Sequence, residues 1–147
     1  MSTSVCRGGD AGAVTGKPKT AARQAATRQA AERAGRRAEA WAALWLSLRG
    51  YRILARRMRT PASEVDMVAL HRGALVVVEV KARRSWAAAE DGIGWGDRAK
   101  LGRAAEWLSH RRWGVDQWGH PREVRLDAVY VCGWRVRVVQ GAWREGD

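Results

Sequence analysis

Asp66, Glu79 and Lys81 are the residues whose types and spacing point most directly to chemistry. Two strand-like runs, Glu64–Leu70 (EVDMVAL) and Ala74–Lys81 (ALVVVEVK), flank His71-Arg72-Gly73. If Arg72-Gly73 forms a two-residue hairpin turn, the numbers of opposed residues sum to 145. One face is then wholly apolar, with Val65 opposite Val80, Met67 opposite Val78 and Ala69 opposite Val76. The other begins apolar (Leu70/Leu75, Val68/Val77) and then changes character, with Asp66 opposite Glu79 and Glu64 opposite Lys81. Directly opposed carboxylates, with Cβ atoms about 4.5–5.5 Å apart, repel and weaken a sheet. A raised pKa on one acid, a nearby cation or a bound metal ion would offset that repulsion. Lys81, two residues from Glu79 on the same face, is one such cation. A hard divalent ion such as Mg²⁺ takes one or two carboxylates plus waters and phosphate oxygens. It also acidifies water and stabilises charge on a scissile phosphate. A lysine beside it orients the water or binds the phosphate as a point charge. Phosphodiester cleavage is the chemistry such a set suits. An isolated Glu-x-Lys is more often an ordinary solvated ion pair. The apolar run leading into it, the opposed aspartate and an acid on the preceding helix, Glu39, favour the chemical reading.

These residues need a scaffold. Ala38, Trp41, Ala42, Trp45 and Leu48, widened by Leu44, recur at three and four and predict the core stripe of a helix ending at Gly50. Tyr51–Arg59 reads as a strand and Thr60–Ser63 as a turn. Residues 83–97 read as a long loop, with glycines 92, 94 and 96 giving mobility beside the site. Arg98–Trp113 predicts a second helix burying Leu101, Ala104, Ala105 and Leu108. Glu123–Val131 and Trp134–Val139 predict a final hairpin around Cys132-Gly133. The order is helix, three strands, helix, two strands, an α/β chain whose mixed central sheet is flanked by helices. Residues 1–34 read as a basic extension, disordered over the first 17 or so and marginally helical after, with Gly35 a weak break. Residues 35–140 form the domain, and 141–147 a C-terminal tail.

The 147 residues carry 27 Lys and Arg against 15 Asp and Glu, a formal charge of +12. Residues 1–37 hold eight cations and two acids, so the basic character continues into the domain. Such a surface favours a polyanion, nucleic acid above all, although GC-rich coding also inflates Arg, Ala, Gly and Trp. Arg52, Arg56, Arg57 and Arg59 make a basic strand, and with Lys100 and Arg103 they could line a phosphate groove. Charge on an edge strand also discourages aggregation. Nine Trp and no Phe mean that tryptophan supplies most of the core aromatics. Trp86 and Trp95, near Arg83, Arg84 and Arg98, could stack bases but fit loop anchors better. Cys6 and Cys132 have no metal-ligand spacing and read as free thiols in a reducing compartment. No signal peptide and no run of ~20 apolar residues is present, so a cytoplasmic protein without a membrane span is expected. The Arg- and Ala-rich start also resembles a transit peptide, a lesser alternative.

Glu39, then Ser63-Glu64-Val65-Asp66, then Glu79-Val80-Lys81 resembles the PD-(D/E)xK motif of the restriction-endonuclease-like superfamily. More closely, residues 35–131 resemble the YraN-like bacterial family, through Gly35–Glu39, Gly50–Leu54, Ser63–Val68, Val78–Arg83, the helix around Lys100 and Arg125–Val129. The resemblance implies a restriction-endonuclease-like αβββαβ core. It implies Asp66 and Glu79 as ligands of Mg²⁺ or Mn²⁺, with the Val80 carbonyl as a further donor. It implies Lys81 as catalytic lysine and Glu39 as a helical acid reaching the metal directly or through water. Arg52, Arg56, Arg57, Arg83, Lys100 and Arg103 would then meet the nucleic acid, DNA rather than RNA. The family usually has glycine where this chain has Ser63. The implied activity is a metal-dependent, structure-selective DNA endonuclease. A non-catalytic nucleic-acid-binding module and a basic interaction protein are the alternatives, and the oligomeric state is left open, a homodimer included.

Overall fold

The computed structural model describes residues 17–89 and 95–143. The disordered reading of residues 1–16 and the mobile-loop reading of 90–94 lie outside them. The chain divides into two units, Met1–Glu32 and Arg33–Asp147. The described part of the first is helical, and its side chains from Thr20 are exposed.

Helix α1 spans Lys17–Leu48 and passes through Gly35 without a break. Ala, Arg, Gln and Glu neighbours propagate the helix, and one glycine costs only about 1 kcal/mol against alanine. Strands β1 (Arg52–Arg59), β2 (Glu64–His71) and β3 (Ala74–Ala82) follow, then the short helix α2 (Trp86–Ala89) and helix α3 (Trp95–Ser109). A 3₁₀ turn at Arg112–Gly114 leads to β4 (Val124–Cys132) and β5 (Arg135–Trp143). The stretch expected as a loop thus contains α2 and the start of α3. Strand β5 runs to Trp143, three residues past the expected boundary of the domain.

The five strands lie in the order β1-β2-β3-β4-β5. Only β3 and β4 are parallel, joined by the crossover that carries α3. The expected helix–three strands–helix–strand core is therefore present, extended by β5. Arg72 and Gly73 have φ of 49° and 80°, the positive pair of a type I′ turn. The hairpin registers as Met67↔Val78 through His71↔Ala74, the sum of 145 read from sequence. The last hairpin turns at Gly133-Trp134, one residue later than expected, with Gly133 at φ 61° and Cys132 paired to Arg135.

Both sheet faces are covered, which is why Leu75–Val78 are consecutively buried. One face packs Met67, Ala69, Val76, Val78, Val129 and Val131 under Ala38, Ala42 and Leu46 of α1. The other packs Val68, Leu75, Val77, Leu126 and Ala128 against Leu101, Ala104, Ala105 and Leu108, the α3 stripe predicted from sequence. The α1 stripe differs from expectation. Ala38, Ala42 and Leu46 are buried, while Trp41, Leu44 and Leu48 are exposed. Two alanines one turn apart let the helix approach a valine-rich sheet closely, whereas Trp41 would hold it off.

Candidate active site

The two faces of β2 do not alternate throughout. Met67 and Ala69 face α1, but Val65 packs with Val68 on the α3 side. This corrects the expectation that Val65, Met67 and Ala69 share a face. The break lies at Asp66. On the neighbouring strand, Arg56 pairs with Met67 and Met58 with Val65, and between them Arg57 sits at φ 50°. Left-handed backbone is costly for a non-glycine residue and marks a local distortion of the strand. On the other side the β2–β3 ladder ends at Met67↔Val78. The next free N–H, that of Val80, donates to Asp66 Oδ2 at 2.7 Å. The Asp66 carboxylate thus replaces a strand carbonyl where the two strands part.

Glu79 lies next to this break. The Asp66 carboxyl is pushed up to about 7, first by burial, then by the charge of Glu79 and a hydrogen bond with it, and slightly by the charge of Glu39. The Val80 N–H works in the opposite direction. Lys81 Nζ lies 3.0 Å from Glu79 Oε1, with only 24% of the lysine and 16% of the glutamate side chain exposed. Two of the offsets anticipated for opposed carboxylates are therefore in place, a raised pKa and an adjacent ammonium. The expected Glu64–Lys81 pair is replaced. Lys81 binds Glu79 on its own strand, and Glu64 lies 3.6 Å from its β1 partner Arg59, largely in solvent.

Glu39 projects from α1 beside the buried Ala38 and accepts from Arg57 Nε at 2.7 Å. Its side chain is 16% exposed. Helical position alone does not reveal this partnership; an arginine on β1 in the left-handed region is the structural signal. Among the described residues no three His, Cys, Asp or Glu side chains converge as a metal cluster. The donor set is the Asp66–Glu79 pair, with Glu39 within electrostatic reach of Asp66 and held by Arg57.

That pair fits a hard divalent cation. Asp66 commits Oδ2 to Val80 and Glu79 commits Oε1 to Lys81. Each carboxylate has a second oxygen with lone pairs to offer. A group buried so that its ionisation is opposed by a neighbouring carboxylate is relieved by a positive ion.

Of the expected phosphate contacts, Arg52, Arg56, Lys100 and Arg103 have exposed side chains. Arg57 is the Glu39 partner, and Arg83 is half-buried, its Nη1 donating to the Ala82 carbonyl at 3.0 Å. Ser63 is not in the left-handed region, so its position does not demand glycine. Thr60 builds that turn: its hydroxyl accepts from the N–H of Ala62 and Ser63 and donates to the Ser63 carbonyl.

A second polar cluster lies in the α1-facing layer. Asp127 is fully buried and takes both Arg125 Nε (2.8 Å) and Nη2 (2.9 Å), with Tyr51 Oη at 3.0 Å and the Gly141 N–H at 3.0 Å. The Tyr51 and His71 rings stack at 3.9 Å. Arg125 Nη2 is 2.8 Å from His71 Nδ1; an arginine can only donate, so that imidazole is neutral with its proton on Nε2. Burial, then the charges of Arg125 and Arg72, hold its pKa down. The cluster satisfies every oxygen of Asp127 and reads as structural.

Among the described residues no helix is long and apolar enough to cross a membrane. Residues 38–131 match the uncharacterised protein family UPF0102, a span that contains Glu39, Asp66, Glu79 and Lys81. A UPF0102 protein of Caulobacter sp. (strain K31) is 41% identical over 128 residues, covering 86% of this chain and 89% of the relative. One from Mesorhizobium japonicum is 44% identical over 116 residues, covering 78% and 89%. One from Acidiphilium cryptum is 38% identical over 125 residues, covering 85% and 94%. By the family match and by these relatives, the chain belongs to the uncharacterised protein family UPF0102, the YraN-like family that its motifs resemble.

Proposed function

We propose that this protein is a divalent-metal-dependent endonuclease acting on DNA, selective for DNA structure rather than sequence. The observation that carries the reading is the half-buried Asp66–Glu79 pair with Lys81 3.0 Å from Glu79. A hairpin whose open end carries two repelling carboxylates and an ammonium is poorly suited to stability alone. It is well suited to a phosphate and the ion that escorts it. The PD-(D/E)xK resemblance and the basic surface support the same reading.

Mg²⁺ or Mn²⁺ bound there would supply charge for the scissile phosphate and lower the pKa of an attacking water. The chain does the rest. Asp66 and Glu79 present oxygens from two strands bridged by the Val80–Asp66 bond. Once Glu79 is engaged elsewhere, Lys81 is free to orient the nucleophile or meet a phosphate oxygen. Glu39, at the margin, accepts a proton or a water when Arg57 turns to phosphate. Arg52, Arg56, Arg83, Lys100 and Arg103 supply sequence-independent backbone contacts.

The test is cleavage of duplex, branched and single-stranded DNA with Mg²⁺ or Mn²⁺. Asp66→Ala, Glu79→Ala and Lys81→Ala should each lower the rate by about 10²-fold or more with the fold retained. Absence of cleavage on every substrate with both metals overturns the proposal. One observation favours a second reading, a non-catalytic nucleic-acid-binding module: Glu39 is held by Arg57, which leaves two carboxylates at the site. That reading predicts salt-sensitive DNA binding unaffected by metal and by loss of Asp66 and Glu79.

A further inference from the structure

A groove of about 560 Å³ opens beside the end of the sheet that carries Glu79 and Lys81. Strand β3 leaves the sheet after Ala82, next to Val131 of its parallel neighbour β4, and β4 turns at Gly133-Trp134. The groove is lined there by Trp41, Trp45, Trp86, Trp134, Arg135 and Arg137. Arg49 and Val136 complete it, so that its charged residues are all cations.

The lining has a definite construction. Arg49 lies 4.1 Å over the Trp45 ring, Arg137 5.2 Å over Trp86 and Arg135 5.5 Å over Trp134. Trp41 donates its indole N–H to the Trp134 carbonyl at 2.8 Å, which ties α1 to the β4–β5 turn and fixes the ring. Trp134 is nonetheless 75% exposed and Trp41 39%. Indoles left this open forgo the burial that would make them core residues. Fixed aromatic faces alternating with guanidinium groups form the stacking platform and cationic track that single-stranded nucleic acid requires. A duplex buries its base faces in its own stack and cannot use such rings.

We infer that this groove binds a single-stranded arm of tailed or branched DNA, with bases on the tryptophans and phosphates on Arg49, Arg135 and Arg137. The inference deepens the nuclease reading and rests on it for one point: the adjoining duplex phosphate is the one presented to Asp66, Glu79 and Lys81. Structure selectivity then comes from the requirement for a free strand next to the scissile bond.

The experiment is fluorescence anisotropy of a dye-labelled oligothymidylate of about ten nucleotides, in chelator, with wild-type protein, Asp66→Ala, Trp134→Ala and Arg135→Gln/Arg137→Gln. The wild type and Asp66→Ala should bind equally. Trp134→Ala removes an exposed ring but keeps the carbonyl that holds Trp41, so the fold persists, and binding should weaken about 5- to 100-fold. The arginine double variant should lower the slope of log K against log salt by about 1.4. Trp134-dependent binding without cleavage of any substrate supports the groove while the nuclease reading fails. Equal binding by wild type and both groove variants overturns the inference, whatever the cleavage result. Competition by polyglutamate as effective as that by unlabelled oligothymidylate also overturns it, because an acidic peptide cannot replace base stacking.

Discussion

Replacing Asp66 by Asn should stabilise the metal-free protein, and more so at alkaline than at acid pH. The folded Asp66 carboxyl titrates at about 7 against an ordinary 3.8, with burial and the Glu79 charge as the main causes. Between those values the folded state holds a proton that the unfolded state releases. Stability therefore falls as pH rises from about 4 to about 7 and stays low above. The gap is worth at most ~4 kcal/mol. Relaxation and water entry, which keep effective dielectric constants near 20 at such sites, reduce this to about 1–3 kcal/mol. Asn is isosteric and its amide oxygen still accepts from Val80. At pH 8 Asp66→Asn should thus gain about 1–3 kcal/mol, and at pH 5 roughly a third of that. Urea denaturation at the two pH values, in chelator, measures both. Saturating Mg²⁺ at 100 times its Kd should then add about 2.7 kcal/mol to the wild type at pH 8 and far less to the variant. A pH-independent gain, or a loss at pH 8, refutes the reasoning about this pair.

Other outcomes follow from the same geometry. Arg125→Gln leaves the fully buried Asp127 without its bidentate partner and should cost about 3–5 kcal/mol in chemical denaturation. Leu46→Ala should cost about 2–5 kcal/mol, while Leu48→Ala, 79% exposed, should cost under about 0.5 kcal/mol; thermal melts of the two distinguish the observed α1 stripe from the expected one. Arg57→Gly suits the left-handed backbone and frees Glu39, so Mn²⁺ binding should tighten several-fold in calorimetry, and the gain should vanish in Arg57→Gly/Glu39→Gln.

Much of the fold was readable because period and turn chemistry agreed. Arg72-Gly73 dictated the hairpin register, and Leu101, Ala104, Ala105 and Leu108 marked the buried side of α3. Periodicity misplaces the α1 stripe because it weighs Trp41 and Leu48 as strongly apolar. Packing against a valine surface instead selects small residues, Ala38 and Ala42. At the site, types and spacing identified Asp66, Glu79 and Lys81, but two details depend on distortion that no periodicity encodes. Arg57 at φ 50° and the Asp66–Val80 bond shift β2 out of phase, which moves Val65 to the α3 side. Glu64 consequently meets Arg59 rather than Lys81. Arg57 read as a phosphate contact and Glu39 as an acid of the helix; their pairing required the approach of α1 to β1. The tryptophan groove was hidden for a similar reason. Trp41 and Trp134 are 93 residues apart and meet only through the β4–β5 turn.

In the function proposed here, Asp66 and Glu79 together bind a divalent cation. Isothermal titration of Mn²⁺ into the wild-type chain, Asp66→Ala and Glu79→Ala tests it without any assumption about substrate. One site per chain is expected in the wild type, accompanied by proton release near pH 7 because Asp66 must ionise to bind, with loss of that site in both variants. No uptake by the wild type, or equal uptake by the three proteins, would contradict it.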